Sequence, residues 1–475
     1  MGVLSFLFVA LSVVVCVNAE LWNRQNDPKL FSDKYQYKFS QLPLNGTLPT
    51  KPWSDDYWAS FEGGIAHRWY NSEEGSNSSF HYPLHTKDEL FAMSWEDKMK
   101  LSPAEKFDLF NERYDFPIVN SEWRRTSPED EHWWGICHGW APASIHYKEP
   151  KPINITNKAG LVVPFGSSDI KALLSYFVAE YQPSGKENLF IGDRCNRDLE
   201  SFPEFLNNTE CIDMNAGSFH IIIANQLAIK QHSFVVDRDR SSPVWNQPVF
   251  KYRSTVQKSE QVHNSTEGVV RRHYIDTTLF YIGETYPSYE PDAPWVSNVE
   301  LKYTIDVDDK DDIVGGDYLE YDRMDFMWTL VPQDFSGYFS NLQHIYDTSI
   351  GANKPVRVVN TRGPFDGVNA LPLVESAAEF GANTAEQDGR AVKVWKIQPQ
   401  GAESIGIKFH NINTRRFIDK VRIYEGENGP LVAVVHGNEI PSEYIFVNAK
   451  TAYVVFNSDG GEASGFSAEY FSVNH

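Results

Sequence analysis

The chain has 475 residues, too many for one ordinary hydrophobic core, and this length points to two or three domains. Hydrophobic residues make up 41% and aromatic residues 14%, which excludes wholesale disorder. A formal net charge of −21 argues against nucleic acid or an anionic membrane as partner, and fits solubility in an extracellular medium.

The first residues, MGVLSFLFVALSVVVCVNAELW, hold an apolar stretch ending in Val17-Asn18-Ala19. This small-x-small pattern reads as a secretory signal over residues 1–19, cut after Ala19. The run is short for a membrane span and no basic flank follows it. Sequons at Asn45, Asn77, Asn154, Asn207 and Asn264 agree with export to the extracellular space or cell wall, and with a glycosylated surface. Of four cysteines, Cys16 leaves with the signal. In an oxidising compartment two of the other three should pair. Cys195 and Cys211 lie 16 positions apart (211 − 195) around a polar segment. A disulfide there would stabilise the fold by roughly 3 kcal/mol. Cys137 is then the single thiol.

From about Glu20 to Ser79 the chain is rich in Trp, Tyr, Pro, Asn and Ser and reads as irregular structure wrapped on a larger domain. Thr86 to Tyr114 reads as two short amphipathic helices, the second opening with a capping box from Ser102 to Glu105. Ser167 to Tyr181 reads as a further helix. SFHIIIANQLAI and HSFVVDRD are β-branched and aromatic, and HYIDTTLFYIGET and VELKYTIDV alternate; all four read as strands. The segment to about residue 350 is therefore α+β, helices first and then an antiparallel sheet. Composition shifts near Gly351, and short alternating strands beyond it indicate a β-sandwich from about 357 to 475.

Cys137 sits in WWGICHGWAPASI. A helix starting at about Gly139–Ala141 would leave the thiol just ahead of a helix N-terminus, whose dipole lowers a thiol pKa. A nucleophilic thiol also needs a base, a group to orient that base, and oxyanion donors. His220, placed on a strand, suits the base. Asp237, 17 residues on (237 − 220) and one hairpin away, suits the orienting group; Asp239 falls further into the following turn. His138 beside Cys137 suggests a metal pair, but no second Cys or His cluster completes a zinc site. There is no G-x-S-x-G, H-E-x-x-H or P-loop motif.

WWGICHGWAPASI, NAGSFHIIIANQLAIKQHSFVVDRD and VWNQPV (residues 244–249) together resemble the oomycete-type transglutaminase elicitor family, over roughly residues 50 to 330. The match at VWNQPV covers six residues and then diverges, so perception by plant cells is not implied. The resemblance implies a protein-glutamine γ-glutamyltransferase with a papain-like or transglutaminase-like site in the order Cys, His, Asp. It implies Cys137 as nucleophile with His220 and Asp237 as partners, and Asn246 as an alternative orienting residue. The oxyanion would be held by the Cys137 N–H and an indole N–H of Trp133 or Trp134, with the tryptophans also excluding water. Glutamine- and lysine-bearing proteins or small polyamines would be the substrates, with no cofactor required.

The segment VKVWKIQPQ…GFSAEY resembles a CUB domain without its usual disulfides, which implies an extracellular protein or carbohydrate ligand. Some CUB domains bind calcium. Asp419 and Asp459 match two of those ligand positions, whereas the expected Glu falls near Arg415. The acidic loop Asp306–Asp317 departs from an EF-hand at Lys310 and reads as a solvated charge run. Two other readings stay open: a cysteine peptidase or amidase on the same residues, and a non-catalytic elicitor-like binding protein.

Overall fold

The computed structural model describes residues 21–71, 80–181, 189–192, 214–238, 243–263, 268–320, 323–352, 370–382, 391–414, 419–438, 440–442, 444–458 and 465–473. The signal segment, Cys195, Cys211, Asn77, Asn207, Asn264, Asp459 and Arg415 lie outside them. Among the described residues, no helix is long and apolar enough to cross a membrane.

The helical region opens with α1 (Lys87–Ala92), α2 (Trp95–Met99) and α3 (Pro103–Phe110). The sequence had suggested two helices. The Ser94 side chain accepts the Asp97 N–H and starts a separate turn, so local capping divides the first of them. The Ser102–Glu105 capping box forms as read. Next come α4 (Pro117–Arg125), α5 (Cys137–His146) and α6 (Ser167–Tyr176), which runs on into a π-helical turn at Phe177–Tyr181. Helix α7 (Ala216–Ile223) precedes a second π-helical turn, and α8 (Leu342–Ser349) closes the region.

Helix α7 corrects the strand expected over SFHIIIANQLAI. The Asn215 side chain caps it by accepting from the N–H groups of Gly217 and Ser218. Every residue of α7 is buried, so the isoleucines face protein on all sides rather than alternating between core and solvent. Burial overrides their β propensity.

The strands form one mixed-length antiparallel sheet. It contains β1 (Asn45–Thr47), β4 (Leu189–Gly192), β5 (Phe234–Asp237), β6 (Asn246–Gln261), β7 (Arg271–Ile282), β8 (Val296–Val307), β9 (Ile313–Gly315) and β10 (Phe326–Thr329). Its order is β4-β10-β5-β6-β7-β8-β9, with β1 also on β6. β2 (Ile153–Thr156) and β3 (Val162–Phe165) make a separate hairpin.

The C-terminal strands are β11 (Ala370–Leu373), β12 (Ala377–Ala382), β13 (Ala391–Ile397), β14 (Ser404–Asn413), β15 (Lys420–Glu425), β16 (Leu431–Val435), β17 (Ile445–Val447), β18 (Ala452–Ser458) and β19 (Gly465–Val473). They form a sandwich of a five-stranded sheet, β11-β13-β18-β15-β16, and a four-stranded sheet, β12-β19-β14-β17. Strand β15 shows the logic of its placement. Val421 and Ile423 point into the sandwich core, while Lys420, Arg422 and Tyr424 point the other way. That second face is also buried. Tyr424, Leu431, Tyr453 and Val455 join the core of the α+β region, and α4 packs on β16.

Candidate functional site

Helix α5 begins at Cys137 itself, two to four residues earlier than expected. The thiol therefore occupies the first helical position, and Pro142 lies inside the helix. Pro142 has no N–H to give the carbonyl of His138, so the first turn lacks one internal bond. Close packing supports it instead: a Cβ on Gly139 would lie 2.1 Å from the Ser175 carbonyl oxygen of α6.

Cys137 is buried against the start of β6. The Asn246 amide donates to its sulfur at 3.4 Å, and the sulfur lies 3.8 Å from the Val244 carbonyl oxygen. Burial pushes the thiol up to about 11; the Asn246 amide opposes this, and Glu284 and Asp237 add to it. The resting sulfur is thus a thiol at neutral pH.

Three further groups converge on this point through sheet register. Asp237 on β5 stands directly opposite Asn246 on β6, so both side chains leave the same face, toward α5. Trp328 on β10 pairs with Val235, two residues before Asp237, and shares that face. Its indole N–H donates to Asn246 Oδ1 at 2.8 Å, which fixes the amide with its NH₂ toward sulfur. The buried Asp237 carboxylate accepts the Trp245 N–H at 3.3 Å.

The rim is aromatic and acidic. The Tyr57 carbonyl accepts the Ile136 N–H at 2.7 Å, and its ring meets Trp245 edge-on at 5.4 Å. Gln247 donates to both Glu284 oxygens, at 2.8 and 2.9 Å. Burial raises the Glu284 carboxyl above its usual range. Loss of water also pushes Asp56 up to about 8, against a bond from the Trp58 N–H and with help from Asp55, Glu62 and Glu284.

His220 is not a partner of Cys137. It lies on α7, not on a strand, and its Nδ1 is 2.8 Å from the Tyr303 hydroxyl. Tyr303 leads through Thr277 to Ser254, each step 2.7 Å. Ser254 is eight residues past Asn246 on β6 (254 − 246), roughly 25 Å along the strand. The bulge between Val249 and Lys251 turns it to the opposite face of the sheet. The sheet therefore separates the imidazole from the thiol. Burial first, and His273 next, push His220 down to about 3, so it is a neutral core histidine.

Trp133 and Trp134 pack edge to face at 6.0 Å, half-buried, ahead of α5. Trp245, against Tyr57, and Trp328, bonded to Asn246, are two further indoles at the thiol pocket. Trp245 sat within the VWNQPV segment; Trp328 carried no sequence signal, because only the pairing of β10 with β5 brings it there. His138 faces away from the pocket, toward Glu180 and Lys420.

Asp419, one of the expected calcium positions, is among the residues described, and Asp459 lies outside the residues described. No group of three or more His, Cys, Asp or Glu side chains among them would hold a metal ion. Asp419 is fully buried. In the acidic run, the Asp306 carboxylate accepts two hydrogen bonds from the Arg272 guanidinium, each 2.7 Å, and Asp308 accepts the Lys310 and Asp312 N–H groups at 2.9 Å. Asp308 thus builds the turn between β8 and β9, while Asp306 pairs within the sheet.

Residues 130–334 match the family described as Transglutaminase elicitor, and residues 382–470 match the CUB domain. No curated protein sequence matches the chain. The crystal structure of the GP42 transglutaminase from Phytophthora sojae aligns over 70% of this chain and 99% of that one, with TM-score 0.52 and 18% identity. The CUB1-EGF-CUB2 domains of rat MASP-1 align over 22% of this chain and 43% of that one, at 17% identity and TM-score 0.20. The MASP-1 CUB2 domain bound to Ca²⁺ aligns over 22% and 100%, at 14% identity and TM-score 0.19. The match to the Transglutaminase elicitor family thus covers residues 130–334, within an α+β fold like that of the GP42 structure, and the match to the CUB domain follows it.

Proposed function

We propose that the chain is a secreted protein-glutamine γ-glutamyltransferase that works through Cys137. The observation that supports this most is the convergence of Cys137, Asn246 and Asp237 at the first turn of α5. The sulfur attacks the side-chain carboxamide carbon of a glutamine, and the S–H proton passes to Asp237, which replaces His220 as the base. The first-turn N–H groups of α5, including that of Cys137, hold the oxyanion. The C–N bond breaks, and ammonia leaves with the proton from Asp237. The resulting thioester is attacked by a lysine amine or a polyamine. The amine proton returns through Asp237 to sulfur as the C–S bond breaks. The chemistry draws on no cofactor.

The sandwich supplies a separate docking surface in this reading. Tyr444 and Phe446, both substantially exposed, cluster with Phe471 on the four-stranded sheet. Flat rings of this kind suit the faces of a carbohydrate ligand. The test of the enzymatic reading is incorporation of a labelled primary amine into a glutamine-bearing protein. Wild type should incorporate it and Cys137→Ala should not. Glutamine hydrolysis without amine transfer would instead make the protein an amidase.

A further inference from the structure

Residue 138 follows the nucleophile, yet its side chain belongs to a different environment. His138 Nε2 lies 3.7 Å from Glu180 Oε1 and 3.4 Å from Lys420 Nζ. Glu180 stands in the π-helical turn after α6; Lys420 comes from β15 of the sandwich. The two form an ion pair at 2.9 and 3.1 Å, with both side chains 3% exposed. Arg422, two residues on, donates from Nε to the Glu180 carbonyl at 2.6 Å, and the Tyr424 hydroxyl donates to the Tyr181 carbonyl at 3.0 Å. Three consecutive outward positions of β15 are thus committed to one turn of the α+β region.

That turn is the seat of α5. Gly139 lies against Ser175 and Ala179, the residue before Glu180. The first turn of α5 has given up its bond to the His138 carbonyl at Pro142. Its orientation therefore depends on contacts from outside the helix, and the polar ones at His138 run to Glu180 and Lys420.

We infer that Lys420 is a positioning residue for Cys137: through Glu180 and His138 it seats the first turn of α5, so that the CUB domain completes the thiol site of the neighbouring region. A lone buried Glu180 would be costly, and pairing it with Lys420 removes that cost. The effect on the charges agrees. Burial alone would raise Glu180, but Lys420 first, then His138 and Arg125, hold it well below its usual value. Burial, then the Lys420 cation and Arg125, hold His138 down at about 4, against Glu180, so the ring is neutral where it meets Lys420. This inference rests on Cys137 as the reacting group, not on the identity of the acyl acceptor.

The test uses the full chain with Lys420→Met/Glu180→Gln, which removes both charges and strands neither. Thermal unfolding should stay close to wild type. Alkylation of Cys137 by iodoacetamide, followed on its own peptide by mass spectrometry, should slow at least fivefold. Amine incorporation should fall in kcat with KM unchanged, and Lys420→Arg should recover at least half of both rates. A folded double variant that alkylates at the wild-type rate overturns the inference, because Lys420 then only neutralises Glu180. Should the double variant fail to fold, His138→Gln answers the same question while leaving the Lys420–Glu180 pair intact: slower alkylation supports the inference, and an unchanged rate overturns it. If wild type incorporates no amine, the transferase reading fails, and the alkylation rates still decide the role of Lys420.

Discussion

At Cys137 the decisive contact is one amide. Asn246 is held by Trp328 so that its NH₂ meets sulfur, and the thiolate gains more from that bond than the thiol does. Asn246→Ala should raise the thiol pKa further and slow amine incorporation by about 10- to 100-fold, the range expected for a hydrogen bond to a charged group. The pH dependence of iodoacetamide alkylation reports the shift directly; an unmoved profile contradicts the assignment. Cys137, Asp237 and Asn246 were each named from the sequence, but Asp237 as the group orienting His220 and Asn246 as its alternative through the family resemblance; that β5 and β6 set the two side by side was not readable there. His220 was misread because a histidine in a β-branched run looks the same whether it serves a thiol or fills a core. Its neighbours, Tyr303 and Phe39, come from distant segments that no local pattern announces. The folded pKa of about 3 lies below the ordinary 6.5, so the unfolded chain takes up a proton that the folded chain refuses. Stability should be full above about pH 6.5 and decline as pH falls from there toward 3. In His220→Gln that decline should be shallower by calorimetry, while Cys137 alkylation in the folded variant stays within about twofold of wild type.

Among the elements, α5 carries the site and α7 carries the main lesson. The expectation of a helix after Cys137 held, but Pro142 suggested a later start than the one found. Proline is tolerated there because α5 is packed on α6 and on the turn that follows it, not because its own bonds suffice. Gly139 shows how close that packing is. Gly139→Ala would press a methyl group into the Ser175 carbonyl at 2.1 Å. It should destabilise the protein by about 1–3 kcal/mol, the range for overpacking, and slow alkylation of Cys137 as α5 shifts. Denaturant unfolding measures the first effect; a midpoint equal to wild type would refute this view of the helix seat. For α7 the period of the apolar residues was no guide, since a helix buried all round has no polar face to reveal it.

On the scale of the whole molecule, two regions meet through one buried sheet face. The succession of helices, antiparallel sheet and sandwich was readable from composition and alternation. The docking was not, because Lys420 and Arg422 on β15 look in sequence like the solvent side of a strand, and only their partners at Glu180 bury them. The opposite sheet of the sandwich exposes Tyr444 and Phe446. Replacing both with alanine should lower retention on an insoluble polysaccharide without changing amine incorporation; unchanged retention removes the carbohydrate assignment. The central claim is that Cys137 is acylated by a glutamine side chain. Its most direct measurement is the mass of the Cys137 peptide after acid quenching of the full chain with a glutamine-bearing peptide and no amine. The account predicts a thioester adduct on Cys137, lost on adding a primary amine and absent in Asp237→Asn. Amine transfer by wild type with no adduct at Cys137, or transfer undiminished in Cys137→Ala, would contradict it.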